Sequence, residues 1–276
     1  MYGVTSSIVI YKNNPNEIKR VIDSFLNTDL DVKLYLVDNS STDKLRKLCM
    51  DERVKYIFNN ANLGFGKAHN IAIKQAMSEG SKYHLILNPD VYFKKGTLEK
   101  MYNFMKGNLD IGLAMPKVLY PDGQMQYLCK LTPTPFDLIL RRFLPFKNYI
   151  KERNKKYELK FADYNKLMDV PYLSGCFMFI RTEVLKKVGM FDERYFMYLE
   201  DTDLSRRIHQ QYRTVYYPEA TVYHEYGKGS YKNKKLLWYH ISSAIKYFNK
   251  WGWIFDKNRR EINKKTLNDL KNRLDM

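Results

Sequence analysis

Over its first 108 residues the chain alternates short apolar runs with segments of helical period, and no other feature limits its fold as strongly. TSSIVIY (5–11) reads as a buried strand, and PNEIKRVIDSFLNT (15–28) as a helix with Ile18, Val21, Ile22 and Phe25 on one face. VKLYLVDNSSTD (32–43) is a strand running into a polar turn, with Ser41 or Thr42 placed to cap a helix over DKLRKLCM. VKYIFNN (54–60) predicts a third strand. NLGFGKAHNIAIKQAMSEG then gives a glycine turn and a helix stopped at Gly80. HLILNPD (84–90) is a continuous apolar strand of the kind buried on both faces of a sheet, and GTLEKMYNFMKGN (96–108) is a further helix. Strand and helix repeating in this way predict a doubly wound α/β sheet.

The pattern loosens after about Lys117. Residues 130–168 are basic, punctuated by proline and weakly periodic, and read as a mobile connector without a core of its own. Strands resume at VPYLSGCFMFIR (170–181) and TVYYPEATVYHEYG (214–227), and the C-terminus reads as one or two helices rich in aromatics and lysine. The expected organisation is a catalytic domain over 1–235 and a basic, aromatic helical extension over 236–276.

Composition narrows the classes. At 45% hydrophobic, 276 residues can bury a sizeable core. No apolar run approaches the roughly 20 residues that span a bilayer, and the N-terminus lacks the pattern of a secretion signal. Three widely spaced cysteines suggest neither a disulfide framework nor a zinc site, so a reducing, cytoplasmic setting is expected. The net charge of +17 is concentrated in the second half and points to a polyanionic partner or to a solvated lysine surface.

In such sheets ligands sit beyond the carboxyl ends of the strands. There the sequence sets Asp38, Asn39, Ser40 and Ser41 after one strand and Asn59, Asn60, Asn62, Gly64 and Gly66 after the next. Asn88, Pro89 and Asp90 follow a third. Each stretch alone is an ordinary turn, but three at neighbouring strand ends suit a base, a ribose and a diphosphate. Further on, YFMYLEDTDLSRRI (195–208) puts Glu200, Asp201 and Asp203 directly behind aromatic residues, where burial raises the cost of ionising them.

VDNSSTD, NLGFGKAHN, LNPDV, SGCFMFIRTEVLKKVGMFDERYFMYLEDTDLSRR and PEATVYHEYGKGS, in this order, resemble the family-2 inverting glycosyltransferases, more narrowly their bacterial rhamnosyltransferase-like branch. The resemblance runs from about residue 5 to 250. It implies the GT-A fold, a nucleotide-sugar donor and Mg2+ or Mn2+. It places Asp38, Asn39 and Ser41 at the nucleobase and ribose, Asn62, Gly64 and Asn70 in the nucleotide loop, and Asn88 and Asp90 at the diphosphate. Asp90 and His224 become the metal ligands, the motif here being Asn88-Pro89-Asp90 with its first acid absent. Asp201 becomes the base that deprotonates the acceptor hydroxyl, with Glu200, Asp203, Tyr198 and Gly175 around the acceptor. Arg207 is implied as a counter-charge on the donor side.

The expected reaction is transfer of L-rhamnose from dTDP-L-rhamnose to a surface or lipid-linked glycan, on the cytoplasmic face of the membrane. An anionic membrane surface is the partner expected of the C-terminal extension. A UDP-hexose or UDP-galactofuranose donor is the alternative within the class, and a basic nucleic-acid-binding α/β protein the alternative outside it. The cations cluster away from the strand-end acids and no nucleic-acid motif is present, so nucleic acid is not an expected partner.

Overall fold

The computed structural model describes residues 2–142, 144–225 and 233–273. Eleven strands run β1 Val4–Ile10, β2 Val32–Asp38, β3 Val54–Phe58, β4 Tyr83–Leu87, β5 Val91–Phe93, β6 Ile111–Leu119, β7 Cys129–Lys130, β8 Met168–Asp169, β9 Tyr172–Leu173, β10 Phe177–Arg181 and β11 Arg213–His224. The helices are α1 Pro15–Leu26, α2 Phe65–Ser78, α3 Thr97–Gly107, α4 Pro135–Leu138, α5 Lys147–Tyr157, α6 Thr182–Val188, α7 Glu200–His209, α8 Lys234–Trp251 and α9 Lys257–Asn272.

The central sheet has the order β3-β2-β1-β4-β10-β6-β11-β5, with β8 alongside β11. Strands β3, β2, β1 and β4 are parallel, each reached through a crossover. Strand β10 runs antiparallel to both β4 and β6, so the sheet is mixed. All five residues of β4 are buried, as a central strand with helices on both faces requires. A polar chain crosses this core: Ser7 Oγ lies 2.7 Å from His69 Nδ1 and 2.9 Å from His84 Nε2, tying β1, α2 and β4 together. Burial holds both imidazoles well below the usual histidine range, so the chain is neutral.

Two expectations change. The stretch predicted as a helix over DKLRKLCM forms only a 3-10 segment, Lys44–Leu48. Neither Ser41 nor Thr42 caps it, and the Asp43 carboxylate turns to Arg46 instead. The connector holds α4 and α5 and lays Leu131, Leu138, Tyr157, Leu159 and Tyr164 into the interior. These residues lack a helical period because they reach different parts of the core. Residues 226–230 of the PEATVYHEYGKGS stretch lie outside the described residues.

The C-terminal extension is helical and packs on α4 and on the loop that leads into α7. Ala244, Tyr247 and Phe248 of α8 meet Tyr195, Leu199 and Leu138. Asp256, Arg259, Thr266 and Leu270 are buried in turn.

Candidate active site

A cavity of about 560 Å3 opens at the carboxyl ends of β1, β2 and β4. One wall is the nucleotide-loop side. Asn39 donates its side-chain N–H to the Gly64 carbonyl at 3.0 Å and accepts from Asn59, and Asn62 Oδ1 accepts from the Gly64 N–H. Gly64 has φ +83°, and a Cβ there would stand 2.2 Å from the Phe196 carbonyl oxygen. No other residue fits this position without moving the loop. The next N–H, of Phe65, donates to that same carbonyl and joins the loop to the segment leading into α7.

Asp90, just before β5, faces His224 at the end of β11, with Asp90 Oδ1 3.3 Å from His224 Nε2. The tautomer follows from Gln126. Its side-chain N–H donates to the His224 carbonyl at 2.7 Å, which turns its oxygen toward His224 Nδ1 at 2.9 Å. Nδ1 therefore carries a hydrogen, and Nε2 is the ring nitrogen turned to the carboxylate. Two lone-pair donors at this spacing suit a shared cation. Bonds of ~2.1 Å to neighbouring corners of an octahedron put the ligand atoms about 3.0 Å apart. No cluster of three or more His, Cys, Asp or Glu stands ready for a metal among the described residues.

Helix α7, whose first residues also line the cavity, begins after Tyr198 and Leu199, both left-handed at φ +70° and +67°. Such backbone is strained for residues with a Cβ and is a frequent mark of functional sites. The reversal delivers Glu200 and Asp201 to the helix N-terminus. Asp201 Oδ2 accepts from the Gly175 N–H at 2.9 Å and the Tyr172 hydroxyl at 3.1 Å, while Oδ1 accepts from the Thr202 N–H. A Cβ on Gly175 would come within 3.0 Å of Asp201 Cβ, so the glycine lets the strand turn approach the acid. Glu200 is buried, and burial together with the Asp201 charge pushes its carboxyl well above the usual range.

The cavity brings together Asn39, Asn62, Gly64, Asn88, Asp90, Gly175, Tyr198, Glu200, Asp201 and His224 of the expected set. Five residues lie outside its lining. Asp38 is fully buried, its oxygens taken by the Ser40 N–H and the Tyr56 hydroxyl. Ser41 is exposed on the turn beyond. Asn70 clasps the backbone of Phe191 from both its amide oxygen and its N–H, a structural tie between α2 and the loop joining α6 to α7.

The acceptor role expected of Asp203 is corrected by its surroundings. Its carboxylate is fully buried, accepting from Arg207 Nε, Trp251 Nε1 and Lys250 Nζ at 2.8, 2.8 and 2.6 Å. Arg207 spends its remaining donors on the carbonyls of Val188, Gly189 and Met190, which fixes it behind α7 and away from any donor. Sequence reading missed Gln126, Tyr172, Lys130 and Arg141. They come from the weakly periodic stretch and from a two-residue strand, where no local pattern marks them.

A mixed α/β sheet with a polar cavity at its strand ends, lined by Asp90, His224 and the helix-borne Asp201, matches the GT-A architecture. The Glycosyl transferase family 2 model matches residues 6–189, and the chain belongs to that family of glycosyltransferases. It is 29% identical over 231 residues to the N-acetylglucosaminyl-diphospho-decaprenol L-rhamnosyltransferase of Mycobacterium tuberculosis, covering 78% of this chain and 74% of the relative. To Rhamnosyltransferase WbbL of Escherichia coli it is 24% identical over 251 residues, covering 87% and 90%. Among solved structures it is similar to GalNAc-T7 with UDP, GalNAc and Mn2+, at TM-score 0.63 and 14% identity over 82% of this chain and 43% of that one. It is also similar to the mannosyltransferase PcManGT of Pyrobaculum calidifontis with GDP-Man and Mn2+, at TM-score 0.58 and 16% identity over 89% and 64%. These likenesses carry the expected fold.

Proposed function

We propose that this glycosyltransferase moves L-rhamnose from dTDP-L-rhamnose onto the terminal sugar of a lipid-linked glycan, inverting the anomeric centre. The observation that supports this reading most is that Asp90, His224 and Asp201 line a single cavity. Inverting transfer needs both kinds of group in one place, a seat for the charge of the leaving diphosphate and a base for the attacking hydroxyl. The rhamnosyltransferase relatives support the sugar.

In the reaction, the acceptor hydroxyl oxygen bonds to the anomeric carbon as the bond from that carbon to the diphosphate oxygen breaks. The electron pair leaves with dTDP, and the hydroxyl proton passes to Asp201. Gly175 and Tyr172 hold that carboxylate in place. Asn39, Asn62 and Gly64 form the wall for the nucleotide, and Tyr198 offers an apolar face to a sugar ring. Asp90 and His224 fit Mg2+ or Mn2+, which when bound neutralises charge on the departing diphosphate.

The chain's place is at an anionic membrane surface, on the side where dTDP-sugars are made. No described helix is long and apolar enough to cross a membrane. Trp238, Ile245, Ile254 and Phe255 are exposed among the lysines of the extension, a combination suited to an interface.

A thermal-shift panel of sugar nucleotides with and without Mn2+ tests the reading. A ligand at 100 times its Kd adds about 2.7 kcal/mol. dTDP-L-rhamnose with Mn2+ is expected to give the largest shift, and a larger response to UDP-hexoses would move the donor to that carrier. Absence of a shift with every sugar nucleotide would overturn the reading.

A further inference from the structure

The cavity contains a cation that the donor half of the reaction does not use. Lys130, on β7, stands opposite Tyr172 in the short β7-β9 ladder, and its ammonium lies 5.6 Å from the Tyr172 ring and 6.0 Å from the Tyr157 ring. Tyr172 in turn donates its hydroxyl to Asp201. Burial holds this ammonium below the usual lysine range, and the charges of Glu158 and Asp201 offset that in part. Among the described residues no carboxylate reaches it within ion-pair distance.

Arg141 lines the same cavity. It hydrogen-bonds Asn154 at 2.7 Å and stays 3.9 Å from the nearest oxygen of Glu158, too far for a close pair. Arg141 also lines a second, adjoining cleft of about 490 Å3 with Lys147, Lys151, Lys155 and Lys160. Lys155 and Lys160 have surface glutamate partners, and no carboxylate lines the cleft itself. Leu144 and Ile150 supply apolar surface between the cations.

These residues belong to the segment between β7 and the end of α5. The nucleotide-side residues and the metal pair stand instead on the strand ends of the large sheet. The track of cations therefore starts beside the base and leads away from the donor.

We propose that Lys130 and Arg141 form an acceptor-side phosphate subsite, which grips the phosphates joining the acceptor sugar to its lipid carrier and opens into the basic cleft along α5. This rests on the glycosyltransferase reading and names the charge its acceptor must carry. A half-buried ammonium between two tyrosine rings is costly while it faces no anion, and a diphosphate supplies one.

The test uses the full chain with dTDP and Mn2+ present in excess, so that the donor side is filled. Calorimetry compares decyl diphosphate, inorganic pyrophosphate and the neutral decyl maltoside, in the wild type and in Lys130→Gln, Lys130→Arg and Arg141→Gln. Decyl diphosphate is expected to bind most tightly. Lys130→Gln should weaken it by about tenfold or more, with Lys130→Arg restoring most of the loss. Binding of the maltoside and of dTDP should not move. Equal weakening of charged and neutral probes, or no preference for the diphosphate in the wild type, overturns the subsite. Pyrophosphate binding as tightly as decyl diphosphate overturns the lipid-carrier assignment. If dTDP with Mn2+ fails to bind the wild type, the donor reading falls, while the comparison of the decyl probes still decides the subsite.

Discussion

The Arg206 guanidinium meets the Asp256 carboxylate through two parallel hydrogen bonds, of 2.7 and 2.8 Å, with both side chains withdrawn from solvent. Arg206 lies on α7, beside the residues that face the cavity, and Asp256 precedes α9. Together with the bonds from Trp251 and Lys250 to Asp203, the pair fastens the extension to the helix that carries Asp201. Removing one partner leaves the other charged and buried, at a cost of about 3–5 kcal/mol. Asp256→Ala should therefore lower the midpoint of urea unfolding sharply, and truncation at residue 250 should destabilise the whole chain. A midpoint equal to the wild type in both would show that the extension is only loosely attached.

Glu200 makes stability depend on pH in a stated direction. Its folded-state pKa is raised, chiefly by burial and then by Asp201, above an ordinary value of 4.5. The folded chain thus binds this proton more tightly than the unfolded one. The resulting stabilisation is complete below pH 4.5 and is lost as pH rises through the folded value. Glu200→Gln has no proton to lose, so its stability should gain on the wild type as pH rises from 5 to 8. The gain is about 1.4 kcal/mol per pH unit while only the folded wild type keeps the proton. Unfolding curves at several pH values check this, and a difference that shrinks with rising pH would assign the proton elsewhere.

Asp90→Ala and His224→Ala should each remove the Mn2+-dependent part of dTDP binding in calorimetry. Gln126→Leu touches neither ligand atom, yet it frees the imidazole to rotate and to change tautomer. It should weaken Mn2+-dependent binding about 10–100-fold, the usual scale for such supporting contacts. Unchanged Mn2+ dependence in His224→Ala would remove that residue from the metal pair.

The extension also bears on membrane attachment. Phe255 is 89% and Ile254 67% exposed, in the short turn between α8 and α9, while Trp251 before the turn and Asp256 after it are packed. On the proposed attachment, lipid would meet this turn and the outer face of α8. Ile254→Ser with Phe255→Ser should reduce co-sedimentation with anionic vesicles while leaving the unfolding midpoint nearly unchanged. Equal sedimentation by variant and wild type, or none by either at low salt, would end this assignment.

Where burial follows local period, the sequence was readable. Ile18, Val21, Ile22 and Phe25 line the inner face of α1, and the fully buried, mostly apolar β4 lies at the centre of the sheet. The polar strand ends were readable for the same reason, since Asn39, Asn62, Gly64 and Asp90 follow directly on their strands. What stayed hidden depends on partners far along the chain. Asp203 looks like a third acid of the site until Lys250 and Trp251 arrive from α8. Lys130 looks like one more surface lysine until α5 folds Tyr157 over it. Gln126 fixes the imidazole of a residue 98 positions later, and no local pattern records such a distance.

The central claim is that Asp201 accepts the proton of the attacking hydroxyl, and Asp201→Asn tests it most directly. Asparagine keeps the shape and can still accept from Gly175 and Tyr172 through its one oxygen, but it cannot take up a proton. The measurement is the rate of rhamnosyl transfer from dTDP-L-rhamnose at saturating donor, alongside calorimetry of dTDP with Mn2+ on the same preparation. The account predicts a rate lower by about a hundredfold or more, with nucleotide affinity unchanged. Transfer near the wild-type rate, with the nucleotide equally well bound, would contradict it.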